Sequence, residues 1–187
     1  MRHNFVRVLA LMACMLACLA GSATAATTSS GGASPDDPRY APAKKAKIVN
    51  GFAIAPKSAP RRVKRAINAA NRIVEKPYRY GGGHASVEDK GYDCSGTVSY
   101  ALIAAKLLRA PLPSGSFMNW GRRGKGKWIS VYAHGGHAFA VIAGLRLDTG
   151  SRDPRGERYG QKPGSGPRWN KTMRDPSGYR IRHPANF

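Results

Sequence analysis

Acidic residues are scarce in this chain of 187 residues: ten Asp and Glu stand against 31 Lys and Arg, a formal charge of +21. Such an imbalance favours anionic partners, and it acts on association rather than on fold. Cysteine is scarcer still, with Cys14, Cys18 and Cys94 alone. The first two lie in the apolar stretch near the start, so after its removal Cys94 has no partner and a disulfide-stapled scaffold is excluded. That stretch, Val8 to Ala20, is too short for an ordinary membrane span. No Gly-Lys-Ser/Thr follows the glycine-rich turn at 81–83, which removes a phosphate-binding P-loop. No cysteine or carboxylate pair completes a ligand set around His134 and His137, so no metal and no cofactor is expected. No internal repeat is visible.

What is present centres on Gly91-Tyr92-Asp93-Cys94-Ser95-Gly96 and the apolar segment after it. Val98, Leu102, Ala105 and Leu108 recur at helical spacing, which predicts a helix from Cys94 to about Leu108. A cysteine in the first turn of a helix faces unpaired N–H groups and the positive end of the macrodipole. Both favour the thiolate, which is the nucleophilic form. The plainer alternative is a small buried cysteine that fills the packing face. An exported chain that keeps one unpaired thiol, at risk of oxidation, favours the reactive reading.

Export is read from the start of the chain. Arg2 and Arg7 precede the apolar run and Ala23-Thr24-Ala25 follows it, the layout of a secretory signal peptide over residues 1–25. Lipid attachment at Cys18 is the alternative processing route. Residues 26–59 are rich in Ser, Thr, Gly, Pro and Lys and read as a flexible basic linker, with Ile48 to Ile54 as an apolar patch for docking on the domain. One domain is expected over 60–187. Arg61 to Lys76 fits an amphipathic helix with Val63, Ile67, Ala70 and Val74 on one face, ended by Pro77. Tyr78-Arg79-Tyr80-Gly81-Gly82-Gly83-His84 is a glycine-rich turn. Ala110 to Gly126 reads as a loop, with the basic run Arg122, Arg123, Lys125, Lys127 beside it. Trp128–Tyr132, His137–Ile142, Leu145–Asp148 and Tyr179–Arg182 are strand-prone, and Gly150–Gly166 is a long loop.

Ala143-Gly144 makes a tight connection, so the second and third of those strands form a hairpin. His137 opens one arm and Asp148 closes the other, which sets them opposite or diagonal to each other. A carboxylate there holds the imidazole in one orientation and leaves its other nitrogen free for Cys94: nucleophile, base and orienter. Taken singly, His137 is more often a structural histidine and Asp148 a turn-capping residue; together with a helix-start cysteine they read as a relay. Asp153 and His134 are the other candidate orienters, and His84 is placed to line the cleft.

Tyr78-Arg79-Tyr80-Gly81-Gly82, Asp93-Cys94-Ser95-Gly96 and Gly136-His137 opening an apolar strand resemble, in this order, the NlpC-type cysteine peptidases. The resemblance covers about Arg61 to Gly150, roughly half the chain. It implies an α+β, papain-like domain with the catalytic cysteine at the N-terminus of a helix packed on a small antiparallel β-sheet. It further implies hydrolysis of peptidoglycan stem peptides, typically between γ-D-glutamate and a diamino acid. By resemblance Cys94 is the nucleophile, His137 the base and Tyr78 the oxyanion-assisting hydroxyl, while Asp93 and Ser95 help hold the free amino end of the stem. The family usually places a second histidine where this chain has Asp148. The alternatives are a catalytically silent wall-binding module and an amidase or acyl transferase on the same fold. The expected partners are stem peptides and anionic cell-wall polymers, with no specific nucleic acid, no transmembrane segment after cleavage, and a monomer secreted to the cell envelope.

Loss of Arg2 and Arg7 with the signal leaves a charge of +19. Retention on isolated cell walls should therefore weaken steeply as salt rises. Salt-independent retention in a sedimentation assay would place the affinity in a specific pocket or a lipid instead.

Overall fold

The computed structural model describes residues 45–150 and 166–187. The expected signal peptide, Cys18, most of the linker and Asp153 lie outside them. The α+β class expected from the sequence is the class observed. Two short strands, β1 (Lys47–Val49) and β2 (Phe52–Ile54), come first, followed by α1 (Arg61–Asn71) and α2 (Cys94–Ala104). The one-turn helix α3 (Ser114–Phe117) leads to β3 (Arg122–Arg123), β4 (Ile129–His134), β5 (His137–Ile142) and β6 (Leu145–Asp148). β7 (Arg168–Asn170) and β8 (Arg180–His183) complete the described elements. β3 to β8 form one antiparallel sheet in the order β3-β8-β4-β5-β6-β7.

Side chains alternate across a strand, and the sheet uses this to separate core from site. Ile129, Val131 and Ala133 of β4 pair with Ile142, Ala140 and Ala138 of β5, and Leu145 and Leu147 of β6 continue the row. All are buried in one cluster with Val63 and Ile67 of α1 and Val98 and Leu102 of α2. The opposite face carries Tyr132, His134, His137, Phe139 and Asp148, with Tyr132 stacked on Phe139 at 4.7 Å.

The folded unit begins earlier than residue 60. Asn50 and Gly51 take positive φ (49° and 83°), as a two-residue hairpin turn requires, and so pair β1 with β2. Ala46 N–H donates to Ala143 O (2.8 Å), which ties this hairpin to the turn between β5 and β6. Asn71 of α1 accepts from Ala53 N–H (2.9 Å) and donates to Ala53 O (2.8 Å), and it also accepts from Trp169 Nε1 (2.8 Å). Residues 45–59 thus belong to the domain, and the patch at Ile48–Ile54 docks as a hairpin.

Both long helices end sooner than their apolar spacing predicts. Lys106 takes a left-handed φ of 57°, its N–H bonds Ile103 O, and Leu107 N–H bonds Leu102 O (both 2.9 Å). This is a Schellman closure, which stops α2 at Ala104. After Asn71 the chain tightens into i→i+3 bonds, Arg72 to Ala69 and Ile73 to Ala70, so Ile73 and Val74 stay buried without extending α1. The expected loop at 110–126 contains α3 and β3, and β7 lies where no strand was expected.

The turn at 78–84 folds back onto the start of α2. Asp93 N–H donates to Gly82 O (3.2 Å), and a Cβ on Gly96 would collide with that same carbonyl. Elsewhere in a helix Gly→Ala gains up to about 1 kcal/mol. Here Gly96→Ala should instead destabilise by about 3 kcal/mol through overpacking. The denaturant midpoint tests this, and an unchanged or raised midpoint would show that the close approach is not limiting.

Candidate active site

Asp93 is the cap of α2, and its carboxylate accepts from Gly96 N–H (2.6 Å) and Gly81 N–H (3.1 Å). This fixes Cys94 as the first helical residue, where no intrahelical acceptor claims its N–H. Cys94 is half-buried and is a free thiol. Burial alone pushes its pKa up. A hydrogen bond from His137 and another from Ala138 N–H outweigh that and hold it below the ordinary thiol value, against a smaller opposing effect of the Asp93 charge. The Ala138 donor is backbone and has no signature in the sequence.

The hairpin of β5 and β6 has Ala140 opposite Leu147 and Ile142 opposite Leu145, so His137 stands diagonal to Asp148. His137 Nε2 lies 2.9 Å from Asp148 Oδ1, which leaves Nδ1 as the ring nitrogen for the thiol. Burial opposes protonation of His137, yet hydrogen bonds to Asp148 and Cys94 and their charges raise its pKa to about 9. Asp148 is 1% exposed. Its burial would raise its pKa, but the bonds from His137 and Gly150 N–H (2.9 Å) and the nearby cations hold it below the usual carboxylate value. Arg146 Nε stands 3.5 Å and Arg174 Nη1 3.2 Å from Asp148 Oδ2.

Tyr78 is 44% exposed, and its backbone bridges to Tyr92. Partial burial raises its pKa first, and the charges of Cys94 and Asp93 add to the effect, so the phenol remains a neutral donor beside the thiol. His84, Asp93 and Ser95 meet in one cluster. His84 Nε2 is 3.1 Å from both Asp93 Oδ1 and Ser95 Oγ, and Ser95 Oγ donates to Asp93 Oδ1 (3.2 Å). His134 is the cross-strand partner of His137, with ring centroids 6.4 Å apart, and its Nδ1 accepts from Gly136 N–H rather than orienting His137. Among the described residues, no group of three or more His, Cys, Asp or Glu side chains is arranged to hold a metal ion.

The structure therefore brings together Cys94, His137 and Asp148, sets Tyr78 near the thiol, and clusters His84, Asp93 and Ser95 at the helix start. Sequence reasoning missed Arg146, Arg174 and Tyr179, whose ring meets that of His137 edge-on with centroids 6.4 Å apart. Arg146 lies two residues before Asp148 and so on its face of β6, a signal that period-2 alternation offered.

No family model and no curated protein matches this chain. Among solved structures it is similar to the resuscitation promoting factor interacting protein RipA, in one variant altered at a glutamate and another altered at a histidine. The identities are 22% and 21%, the TM-score is 0.46 in both, and the match covers 77% of this chain and 70% of each of those.

The geometry yields a pH window with a defined sign. The Cys94 thiolate persists below the ordinary thiol pKa, and His137 keeps its second proton up to about pH 9, so the ion pair occupies the interval between. Iodoacetamide should alkylate Cys94 well below the free-thiol pKa of about 8.5. His137→Ala should restore the profile of an ordinary thiol. Wild-type labelling that already follows that profile would refute the pairing.

Proposed function

We propose that the protein is an exported cysteine hydrolase that cleaves an amide bond in peptidoglycan stem peptides through an acyl-enzyme on Cys94. The observation that carries this reading is the chain of contacts from the capped, pKa-lowered thiol through His137 to the buried Asp148, 2.9 Å from the ring. The substrate class rests on the sequence motifs around Tyr78, Asp93 to Gly96 and His137, which resemble the NlpC-type peptidases. The bond between γ-D-glutamate and the diamino acid is the one this resemblance favours.

The Cys94 thiolate attacks the carbonyl carbon, and a C–S bond forms. Negative charge builds on the carbonyl oxygen, where the N–H groups at the start of α2 and the Tyr78 hydroxyl act as donors. As the C–N bond breaks, the imidazolium of His137 passes its Nδ1 proton to the leaving amine. Nδ1 then takes a proton from water, whose oxygen attacks the thioester; the C–S bond breaks and a carboxylic acid leaves. Asp148 stabilises the imidazolium throughout. The cluster of Asp93, Ser95 and His84 offers acceptors for the free amino end of the stem. High positive charge holds the enzyme near anionic wall polymers after export, and no helix of the described residues is long and apolar enough to cross a membrane.

Single-turnover hydrolysis of a purified stem peptide, with mass spectrometry of the products, tests the reading. Cys94→Ala should abolish turnover and His137→Ala should come close to that. Asp148→Asn should slow the chemical step on the order of tenfold to a thousandfold, about 1.4 to 4 kcal/mol of transition-state stabilisation. A dead Asp153→Asn beside a near-normal Asp148→Asn would sink this relay, and an active Cys94→Ala would sink the hydrolase reading.

A further inference from the structure

Arg174 lies 26 residues beyond Asp148 in sequence, yet its guanidinium sits on the relay. Nη1 is 2.9 Å from His137 Nε2 and 3.2 Å from Asp148 Oδ2. Gly150 borders the same place: an ideal Cβ there would lie 2.9 Å from Arg174 Nη1 and 3.5 Å from His137 Cε1. The group is about one-third exposed, with a side-chain exposure of 34%.

The two short contacts at Nε2 are chemically incompatible in a single state. When Nε2 carries a proton it donates to Asp148 Oδ1, and it offers no lone pair to a guanidinium donor. When Nε2 is bare it accepts from Arg174, and the ring proton is then on Nδ1, facing Cys94. Asp148 and Arg174 therefore bind opposite forms of one nitrogen. Asp148 favours the imidazolium and the Nε2–H tautomer; Arg174 favours the neutral Nδ1–H tautomer and satisfies Asp148 Oδ2 while Nε2 is charged.

We propose that Arg174 is a positioning residue that governs which ring nitrogen of His137 carries the proton, in the hydrolytic relay proposed above. It works through His137 and Asp148. Among the described residues, the titratable and charged groups that face this ring are Cys94 from α2, His134 from β4, Asp148 from β6 with Arg146 behind it, Arg174, and Tyr179 just ahead of β8. Asp148 is held ionised, so Arg174 is the group whose donor competes with it at Nε2. In the acyl-enzyme Nδ1 must be bare to take a proton from water, so Arg174 has to leave Nε2 for Asp148 Oδ2 at that stage.

The test is ¹⁵N NMR of the His137 ring in the full chain across a pH titration, comparing the wild type with Arg174→Met and Arg174→Lys. In the wild type the neutral ring should carry its proton on Nδ1. In Arg174→Met it should carry it on Nε2, toward Asp148. Loss of a cation this close to the imidazole should also move the His137 midpoint upward by about one pH unit. Arg174→Lys keeps the charge and should leave the midpoint near that of the wild type. The alkaline limb of stem-peptide hydrolysis should follow the NMR midpoint in each variant. An unchanged tautomer and midpoint in Arg174→Met would overturn the proposal. A wild type that hydrolyses no stem peptide, with the NMR shift intact, would overturn the hydrolase reading and leave the tautomer control standing.

Discussion

The site depends on a close backbone approach, in which the Gly82 carbonyl rests against the Cα of Gly96 while Asp93 ties the two segments together. Asp93 caps the helix through Gly96 N–H and clasps the glycine turn through Gly81 N–H. One carboxylate thereby fixes where α2 starts and where the 78–84 turn lies across it. Cys94, Tyr78 and the His84 and Ser95 side chains are all placed by that junction. A Cβ on Gly96 would collide with the Gly82 carbonyl and one on Gly82 with the Gly91 carbonyl, so both glycines are required by contact rather than by flexibility.

The second half of the site is carried by the sheet and relies on a buried anion. A carboxylate as buried as Asp148 carries a desolvation penalty of several kcal/mol unless its lone pairs are filled. Here His137, Gly150 N–H, Arg146 and Arg174 surround it. In a chain so poor in acidic residues, this one meets cations from β5, from its own strand and from the segment ahead of β8. The excess of positive charge is often read as a matter for partners alone, but locally it keeps one carboxylate ionised behind an imidazole.

The meeting of His137 with Asp148 was legible in the sequence because the two are joined by a short, regular link. Ala143-Gly144 fixes the register of β5 on β6, and register fixes the distance from residue 137 to residue 148. The cysteine was legible because capping residues and helical spacing are local. Where information is tertiary, the reading fell short. Asn50-Gly51 marks a hairpin, but its docking depends on Asn71 and on Ala143 O, which no local pattern links to it. The helix ends shifted because closure at Lys106 and tightening after Asn71 outweighed an apolar spacing that continues past them. Arg174 sits in a polar stretch with no periodicity, and its role follows only from the fold that carries it to Gly150.

The polarity around the thiol is a balance rather than a uniform positive field. Helix-start N–H groups, the Ala138 N–H and the imidazolium all favour the thiolate, whereas Asp93, one residue before it, opposes it. That opposition is the cost of using a charged cap, which a serine or threonine at the same place would not impose. The carboxylate does one thing a hydroxyl could not. It accepts at once from Gly81, Gly96, Ser95 and the His84 ring, spreading its charge into four donors on two segments. With only 7% of the residue exposed, those donors enclose the charge beside Cys94. The cap and the clasp on the glycine turn are one carboxylate, so the electrostatic cost at the thiol is matched by the joining of α2 to the 78–84 turn.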